Sequence, residues 1–351
     1  MMHKLEEPGR QITDPQTLTT FRRKLTLTLT QFLPQIADHH ILQGFPGSQP
    51  ISFSASHLEA LEESLVCEKS DGVRFLLYIC ALEKPMRGMI TVPAFLIDRK
   101  YNFWQVNIYA PGKMLDRDNL FDGELVMDYE TEMRFLLFDT LMCRGVCYMN
   151  NNYIDRLRAA YFNFIYPIRI TRSKPPNCLE IYLKDFFKPS DIEFLFTSYI
   201  PKLPHKNDGL IFTAINQPYI LGTNPHIVKW KPPELNTIDF VIKRDKTSYV
   251  LYTLSNNRTL EKFGDIELGT EEERHIDSSS GSIAECCYDQ RLKRWKVLKF
   301  RVDKEFANNT RVARNVWKSI EDNVTSEQMI TAYCNTREEP ALIKRRKLDA
   351  E

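Results

Sequence analysis

The sequence predicts an α+β chain in two domains, a larger strand-rich first domain flanked by helices and a smaller all-β second one. Three observations predict it. The 351 residues exceed what one hydrophobic core usually organises. Between residues 75 and 138, short β-prone runs follow one another, with helical spacing confined to the flanks. After Pro232-Pro233, a pair that cannot continue a central ladder, short strand-like runs recur with turn signals between them. The domain boundary is placed there: 1–233, then 234–335, then a basic tail over 336–351.

In chain order, Thr13 opens a helix whose apolar positions Leu18, Phe21, Leu25, Leu29, Phe32 and Leu33 recur at helical spacing. A turn-rich loop, Phe45 to Phe53, and a short helix carrying His57, Leu58, Leu61 and Leu65 follow. Strands are expected at 75–81, 94–97, 103–108, 123–127 and 135–138. A helix is expected at 152–165, a strand at 179–183 and a helix from Ser190. Short strands come next at 208–214 and 227–231. Beyond the prolines, strands at 238–243, 249–254, 265–268, 282–289 and 295–302 fit a small closed barrel of the OB type. Residues 312–320 and 326–333 read as closing helices.

Composition narrows the function. Lys plus Arg (47) nearly balances Asp plus Glu (46), so no bulk charge draws the chain to nucleic acid and any RNA contact must use local clusters. The longest apolar run, Phe75 to Leu82, is too short to span a bilayer, and no membrane association is expected. The charged N-terminus lacks an apolar signal core. Eight scattered cysteines read as reduced thiols of an intracellular protein. Cys143 and Cys147 are spaced like half a zinc site, but no second pair accompanies them. No GxxxxGK[ST] phosphate loop occurs.

The chemistry centres on Cys67 to Ile79, CEKSDGVRFLLYI. Lys69 precedes an Asp-Gly turn at the mouth of a buried strand, where Gly72 lets the backbone turn sharply. A lysine amine attacks phosphorus only when unprotonated, and with a reference pKa of about 10.4 the free amine is roughly one part in a few thousand at pH 7. Bringing that value near 7 costs about 4 kcal/mol, which burial or neighbouring cations can supply. The sequence must therefore bring cations close to Lys69. Lys229 and Lys231, alternate residues of HIVKWKP, share one strand face, and Lys299 and Arg301 share another, with Lys304 just beyond.

Lys-x-Asp-Gly-x-Arg (69–74), Asp-Gly-Glu (122–124), Phe-Asp (138–139), Asp-Gly-Leu-Ile (208–211), Lys-Trp-Lys (229–231) and Arg-x-Asp-Lys (301–304) occur in this order. In that order they resemble the covalent nucleotidyltransferases. Within that superfamily the chain most resembles the mRNA capping guanylyltransferases, through FPGSQPISF, the Trp between the two lysines, and WKVLKFRVDK. The resemblance covers roughly residues 45–304.

The resemblance implies a nucleotidyltransferase domain of antiparallel sheets flanking a nucleotide cleft, followed by an OB-fold domain. It implies that Lys69 takes GMP from GTP and that the 5′-diphosphate end of RNA then accepts it. Lys229 and Lys231 would meet the α-phosphate, and Asp208 a Mg²⁺ or Mn²⁺ ion. Arg301 and Lys304 would reach the β- and γ-phosphates from the second domain once it closes. Arg74 and Glu124 resemble ribose contacts, and Arg99 a nucleotide-facing arginine. Lys184 would donate to guanine O6, with Ser70 facing the base and Phe138 and Ile211 clamping the ring. An RNA 5′-triphosphatase on a separate chain is expected, because no Cys-x-x-x-x-x-Arg signature occurs. The phosphorylated C-terminal tail of RNA polymerase II and a nuclear location are also implied. Lys344 to Lys347 read either as an import signal or as a simple basic tail. Two alternatives remain: an ATP-dependent polynucleotide ligase, told apart by the base in the adduct, and an inactive protein that docks on the polymerase tail.

Overall fold

The computed structural model describes residues 5–30, 44–84, 86–170, 175–246, 248–276 and 281–334. The first elements are β1 (Arg10–Gln11), α1 (Pro15–Thr30), β2 (Ser48–Ser52), β3 (Ser64–Ser70), β4 (Val73–Ile79), β5 (Met89–Ile97) and β6 (Phe103–Pro111). Then come β7 (Asn119–Met127), β8 (Met133–Cys143), β9 (Val146–Cys147), α2 (Tyr153–Ala160), β10 (Glu180–Leu183), β11 (Asn207–Ala214) and β12 (Gly222–Trp230). The remainder is β13 (Thr237–Asp245), β14 (Ser248–Leu254), β15 (Leu260–Ile266), β16 (Ser282–Asp289), β17 (Arg294–Phe300), α3 (Thr310–Asp322) and α4 (Ser326–Cys334).

Two sheets build the first domain. The larger runs β1-β6-β5-β4-β7-β8-β10 with β9 paired to β8, and the smaller runs β2-β12-β11-β3. All pairs are antiparallel except β8/β10 and β2/β12. The unbroken apolar run in β4 has a physical reason: the strand is buried on both faces. Phe75, Leu77 and Ile79 pack toward Ala160, Phe164 and Ile165 of α2 and its continuation, while Leu76 and Tyr78 pack toward Leu25 and Leu29 of α1. Asp14 accepts a 2.8 Å bond from the Thr17 amide at the start of α1. The expected positions Phe32 and Leu33 lie outside the described residues.

The smaller sheet carries its own core. Val66, Leu210, Phe212, Val228 and Trp230 pack with Val324, Met329 and Tyr333. α4, at the far end of the chain, thus covers the sheet that holds Lys69. Trp230 Nε1 donates to the Val324 carbonyl at 2.9 Å and the Tyr333 hydroxyl to the His57 carbonyl at 2.8 Å, fixing the helix on that sheet. The short helix expected over 57–65 is only a 3-10 turn, Ala55–Glu59, because Leu65 and Val66 are claimed by pairing with β11.

In the second domain the strands pair antiparallel in the order β15-β14-β13-β16-β17, with α3 packed on them through Ala313 and Ile320. The closed barrel expected from the sequence is not found: among the described residues no ladder joins β15 to β17. The ends of the sheet nonetheless curl together, with the Phe263 and Trp295 rings 6.1 Å apart. The expected strand 265–268 lies earlier, at 260–266, where Glu261 and Lys262 pair with Thr253 and Tyr252. Lys344 to Lys347 lie outside the described residues. No helix among the described residues is long and apolar enough to cross a membrane.

Candidate active site

Lys69 lies on β3, one residue from its end, just ahead of the Asp71-Gly72 turn. Only Asp71 and Gly72 separate β3, in the smaller sheet, from β4, in the larger one. The chain therefore crosses between sheets here, and Lys69 and Arg74 sit on opposite walls of one cleft. Gly72 is required by this crossing, since a Cβ there would lie 2.3 Å from the Leu125 carbonyl oxygen.

That cleft is a concave pocket, the kind of place where small ligands bind. Lys69, Ser70, Arg74, Arg99, Glu124, Phe138, Lys184 and Ile211 all line it. The sequence motifs separated by more than a hundred residues thus converge because β3, β4, β7, β8 and β11 each present side chains to it.

The Lys69 ammonium lies 2.6 Å from Asp208 Oδ1, and Lys231 lies 2.6 Å from Asp208 Oδ2. One carboxylate thus bridges two lysines. Burial would raise the Asp208 pKa, but the two lysines hold it below the usual carboxylate range. Gly209 makes the arrangement possible. Its φ is +149°, a Cβ there would fall 2.0 Å from the Trp230 carbonyl oxygen, and the β11/β3 register shifts at this point. Lys229, two residues before Lys231 on the same strand face, is pushed down to about 8, first by burial and then by the charges of Lys69, Lys231 and Arg99. Two lysines thus stand near Lys69, with the Asp208 carboxylate between Lys69 and Lys231.

Asp208 offers hard oxygen donors of the kind a divalent ion takes, but each oxygen is held by a lysine at 2.6 Å, so an ion there would have to displace those contacts. No group of three or more His, Cys, Asp or Glu among the described residues could cage a metal. A Mg²⁺-type ion that takes most of its ligands from phosphate oxygens and water needs no such cage.

Arg74 is more committed than the sequence suggests. Its guanidinium is bidentate to the fully buried Asp122, at 2.9 and 2.5 Å, and donates to the Ser48 carbonyl at 2.5 Å. Three of its five N–H groups are thereby spent inside the protein. The Tyr219 hydroxyl donates to Asp122 and accepts from the Ser48 amide, tying the β2 loop to the floor. Glu124, next to it, is pushed up by burial against the pull of Lys184, Lys69 and Arg74. The Phe138 ring lies 5.5 Å from the Arg74 guanidinium. Below the floor, Asp139 is held bidentate by the buried Arg156 at 2.7 and 3.0 Å.

Lys184 reaches the cleft from the loop after β10 but is anchored by Glu68, 3.0 Å from its Oε1 and 2.7 Å from its main-chain oxygen. Burial alone would lower the Lys184 pKa, and Glu68 more than reverses this. Cys67, beside Lys69, is pushed up to about 12 by burial and stays an inert thiol.

Asp208, Lys229 and Lys231 stand beside Lys69 without lining the cleft itself. Arg301 and Lys304 do not line it either, and instead pair with Asp239, Glu285 and Asp303 on the second domain. The residues that sequence reasoning misses are Glu68, Asp122, Asp139, Arg156 and Tyr219. Asp122 and Asp139 lie inside motifs the sequence does display, and their pairing opposite one another on β7 and β8 is the signal that only the fold supplies.

Comparison with known proteins agrees with this geometry. The model of the mRNA capping enzyme catalytic domain matches residues 9–233, and that of the mRNA capping enzyme C-terminal domain matches residues 235–330. The chain belongs to the mRNA capping enzyme family. It is 36% identical to the mRNA-capping enzyme subunit alpha of Schizosaccharomyces pombe, over 87% of this chain and 85% of that one. It is 32% identical to the protein of the same name from Neurospora crassa, over 95% of each chain. Among solved structures, a mycobacterial DNA ligase D complexed with ATP and MES matches 74% of this chain and 95% of its own at 15% identity and a TM-score of 0.41, too distant a likeness to carry weight.

Proposed function

We infer that this chain is an mRNA guanylyltransferase, which moves GMP from GTP to the 5′-diphosphate end of nascent RNA through a lysyl–GMP intermediate. The observation that carries this is the Lys69 amine at the cleft, joined through Asp208 to Lys231 with Lys229 alongside. In the first step the unprotonated Lys69 nitrogen attacks the α-phosphorus. The N–P bond forms, the bond to the bridging oxygen breaks, and pyrophosphate leaves with that electron pair. In the second step a terminal oxygen of the RNA diphosphate attacks the same phosphorus, and the N–P electrons return to Lys69. The nitrogen gives up one proton to solvent as the phosphoramidate forms and takes one back when the N–P bond breaks, so atoms and charge balance without a redox partner.

The residues act mainly by position and charge. Lys229 and Lys231 meet the α-phosphate oxygens. Asp208 would hold Mg²⁺ or Mn²⁺, which supplies charge neutralisation to the phosphates when bound. Lys184 and Ser70 face the guanine, Phe138 and Ile211 clamp it, and Glu124 and Arg99 lie toward the rest of the nucleotide. Arg74 shapes the wall through Asp122. Arg301 and Lys304 come into play when the second domain, an OB-type barrel with its ends curled but unpaired, closes over GTP. The working division is 1–233, 234–335 and a tail over 336–351, with α4 strapping the end of the second part to the first. RNA 5′-triphosphatase on a separate chain is the expected partner; the "subunit alpha" in the relatives' names is consistent with a second subunit. The phosphorylated tail of RNA polymerase II and the nucleus complete the reading. The test is incubation with α-labelled GTP and Mg²⁺ or Mn²⁺. Label should stay on the chain and be lost in Lys69→Ala.

A further inference from the structure

Glu68 lies between the inert Cys67 and the reactive Lys69, and its buried carboxylate has no part in the chemistry above. It is 2% exposed, and its Oε2 has no hydrogen-bond partner. Burying such a charge is costly unless other groups compensate. Two groups do so, and both line the cleft. Ser70 Oγ lies 3.1 Å from Glu68 Oε1, and Lys184 Nζ lies 3.0 Å from the same oxygen. Lys184 also donates to the Glu68 main-chain oxygen at 2.7 Å. His205 stands 4.0 Å away, and burial holds its pKa down, favouring the neutral ring.

We propose that Glu68 is a positioning residue that selects guanine over adenine, by fixing the hydrogen-bond polarity of Ser70 and Lys184. This rests on the guanylyltransferase reading above. A carboxylate can only accept, so the single Ser70 hydroxyl proton must point at Glu68. The Ser70 oxygen then shows the cleft only lone pairs. Lys184 can only donate; with two N–H groups spent on Glu68, one is left for the cleft that it lines. Because both hold the same oxygen, an acceptor and a donor stand side by side on one wall. Guanine presents O6, an acceptor, next to N1–H, a donor, and so fits that wall. Adenine presents the reverse, an amino donor next to an unprotonated ring nitrogen. With the ring clamped and the ribose fixed, adenine cannot swap the order, and both contacts oppose it.

The test is Glu68→Gln in the full chain, with initial rates of covalent labelling by α-labelled GTP and ATP and a thermal midpoint. An amide both donates and accepts, so it releases the Ser70 hydroxyl to turn toward the base, and it removes the counter-charge of Lys184. The GTP-to-ATP ratio of kcat/KM should fall by about 10-fold or more, mostly through a higher KM for GTP. An unchanged ratio, or an equal fall for both nucleotides alongside a lower midpoint, would overturn the proposal. Should that variant not fold, Ser70→Ala deletes the acceptor while leaving the Glu68–Lys184 pair, and must lower the same ratio; if it does not, the proposal fails. Wild-type protein that takes no label from GTP would instead overturn the guanylyltransferase reading beneath it.

Discussion

Asp122→Asn removes one charge from the most deeply buried part of the cleft. Asp122 is fully buried and Arg74 is 7% exposed, so neither water nor salt can take over for the lost carboxylate. The amide can still accept from Arg74 Nε, but its NH₂ then faces the Arg74 Nη2 group, donor against donor. Tyr219 also loses its anionic acceptor. Breaking a buried pair by removing one partner costs about 3–5 kcal/mol, because the remaining charge is left uncompensated. For a domain of this size each kcal/mol lowers the midpoint by roughly 2–4 °C, so the melt should fall by roughly 6–20 °C. Differential scanning calorimetry reads this directly. Arg74→Met combined with Asp122→Leu should recover much of the loss, since an apolar pair of similar volume carries no desolvation penalty. A drop below about 1 kcal/mol in Asp122→Asn would show that Arg74 is solvated or otherwise paired, and would refute the description of the cleft floor.

Three other outcomes follow from the geometry. Lys229, held near 8, is charged below that pH and neutral above it, so kcat/KM for adduct formation should decline as pH rises through about 8. In Lys229→Arg, charged at every working pH, the alkaline limb should vanish. Met329→Ala should destabilise the first domain by about 2–5 kcal/mol in denaturant titrations, although it lies near the end of the described chain, because its side chain is fully buried against the smaller sheet. If the second domain closes over GTP as proposed, Arg301→Ala should leave the KM for GTP within about twofold and reduce the single-turnover labelling rate by roughly 10²–10³, since Arg301 does not line the cleft in this structure.

The gathering of residues around Lys69 was legible because their motifs are short and local. Lys-x-Asp-Gly spans one strand end and one turn, and Lys-Trp-Lys one strand face. Strand period alone put Lys229 and Lys231 side by side. The strands of the first domain were legible from apolar runs, since β4 is buried on both faces and must be apolar throughout. What escaped is what depends on contacts between distant segments. Leu65 and Val66 look helical beside His57 and Leu58, until β11 takes them as strand partners. α4 looks like a cap on the second domain but strips away to cover Trp230 and Phe212. The ends of the second domain's sheet curl together without pairing, so the expected barrel does not close. Asp122 and Asp139 look like ordinary motif carboxylates until Arg74 and Arg156 are seen to spend their forks on them. Arg301 and Lys304 match their motif, yet motif order says nothing of how far the second domain stands from the cleft.

The central claim is a bond between one amine and phosphorus, and peptide mapping of the GTP-treated protein by mass spectrometry tests it most directly. A GMP mass increment on Lys69, lost on mild acid and absent without a divalent ion, is the result expected. An increment on another residue, or an AMP increment on Lys69 with none from GTP, would contradict it.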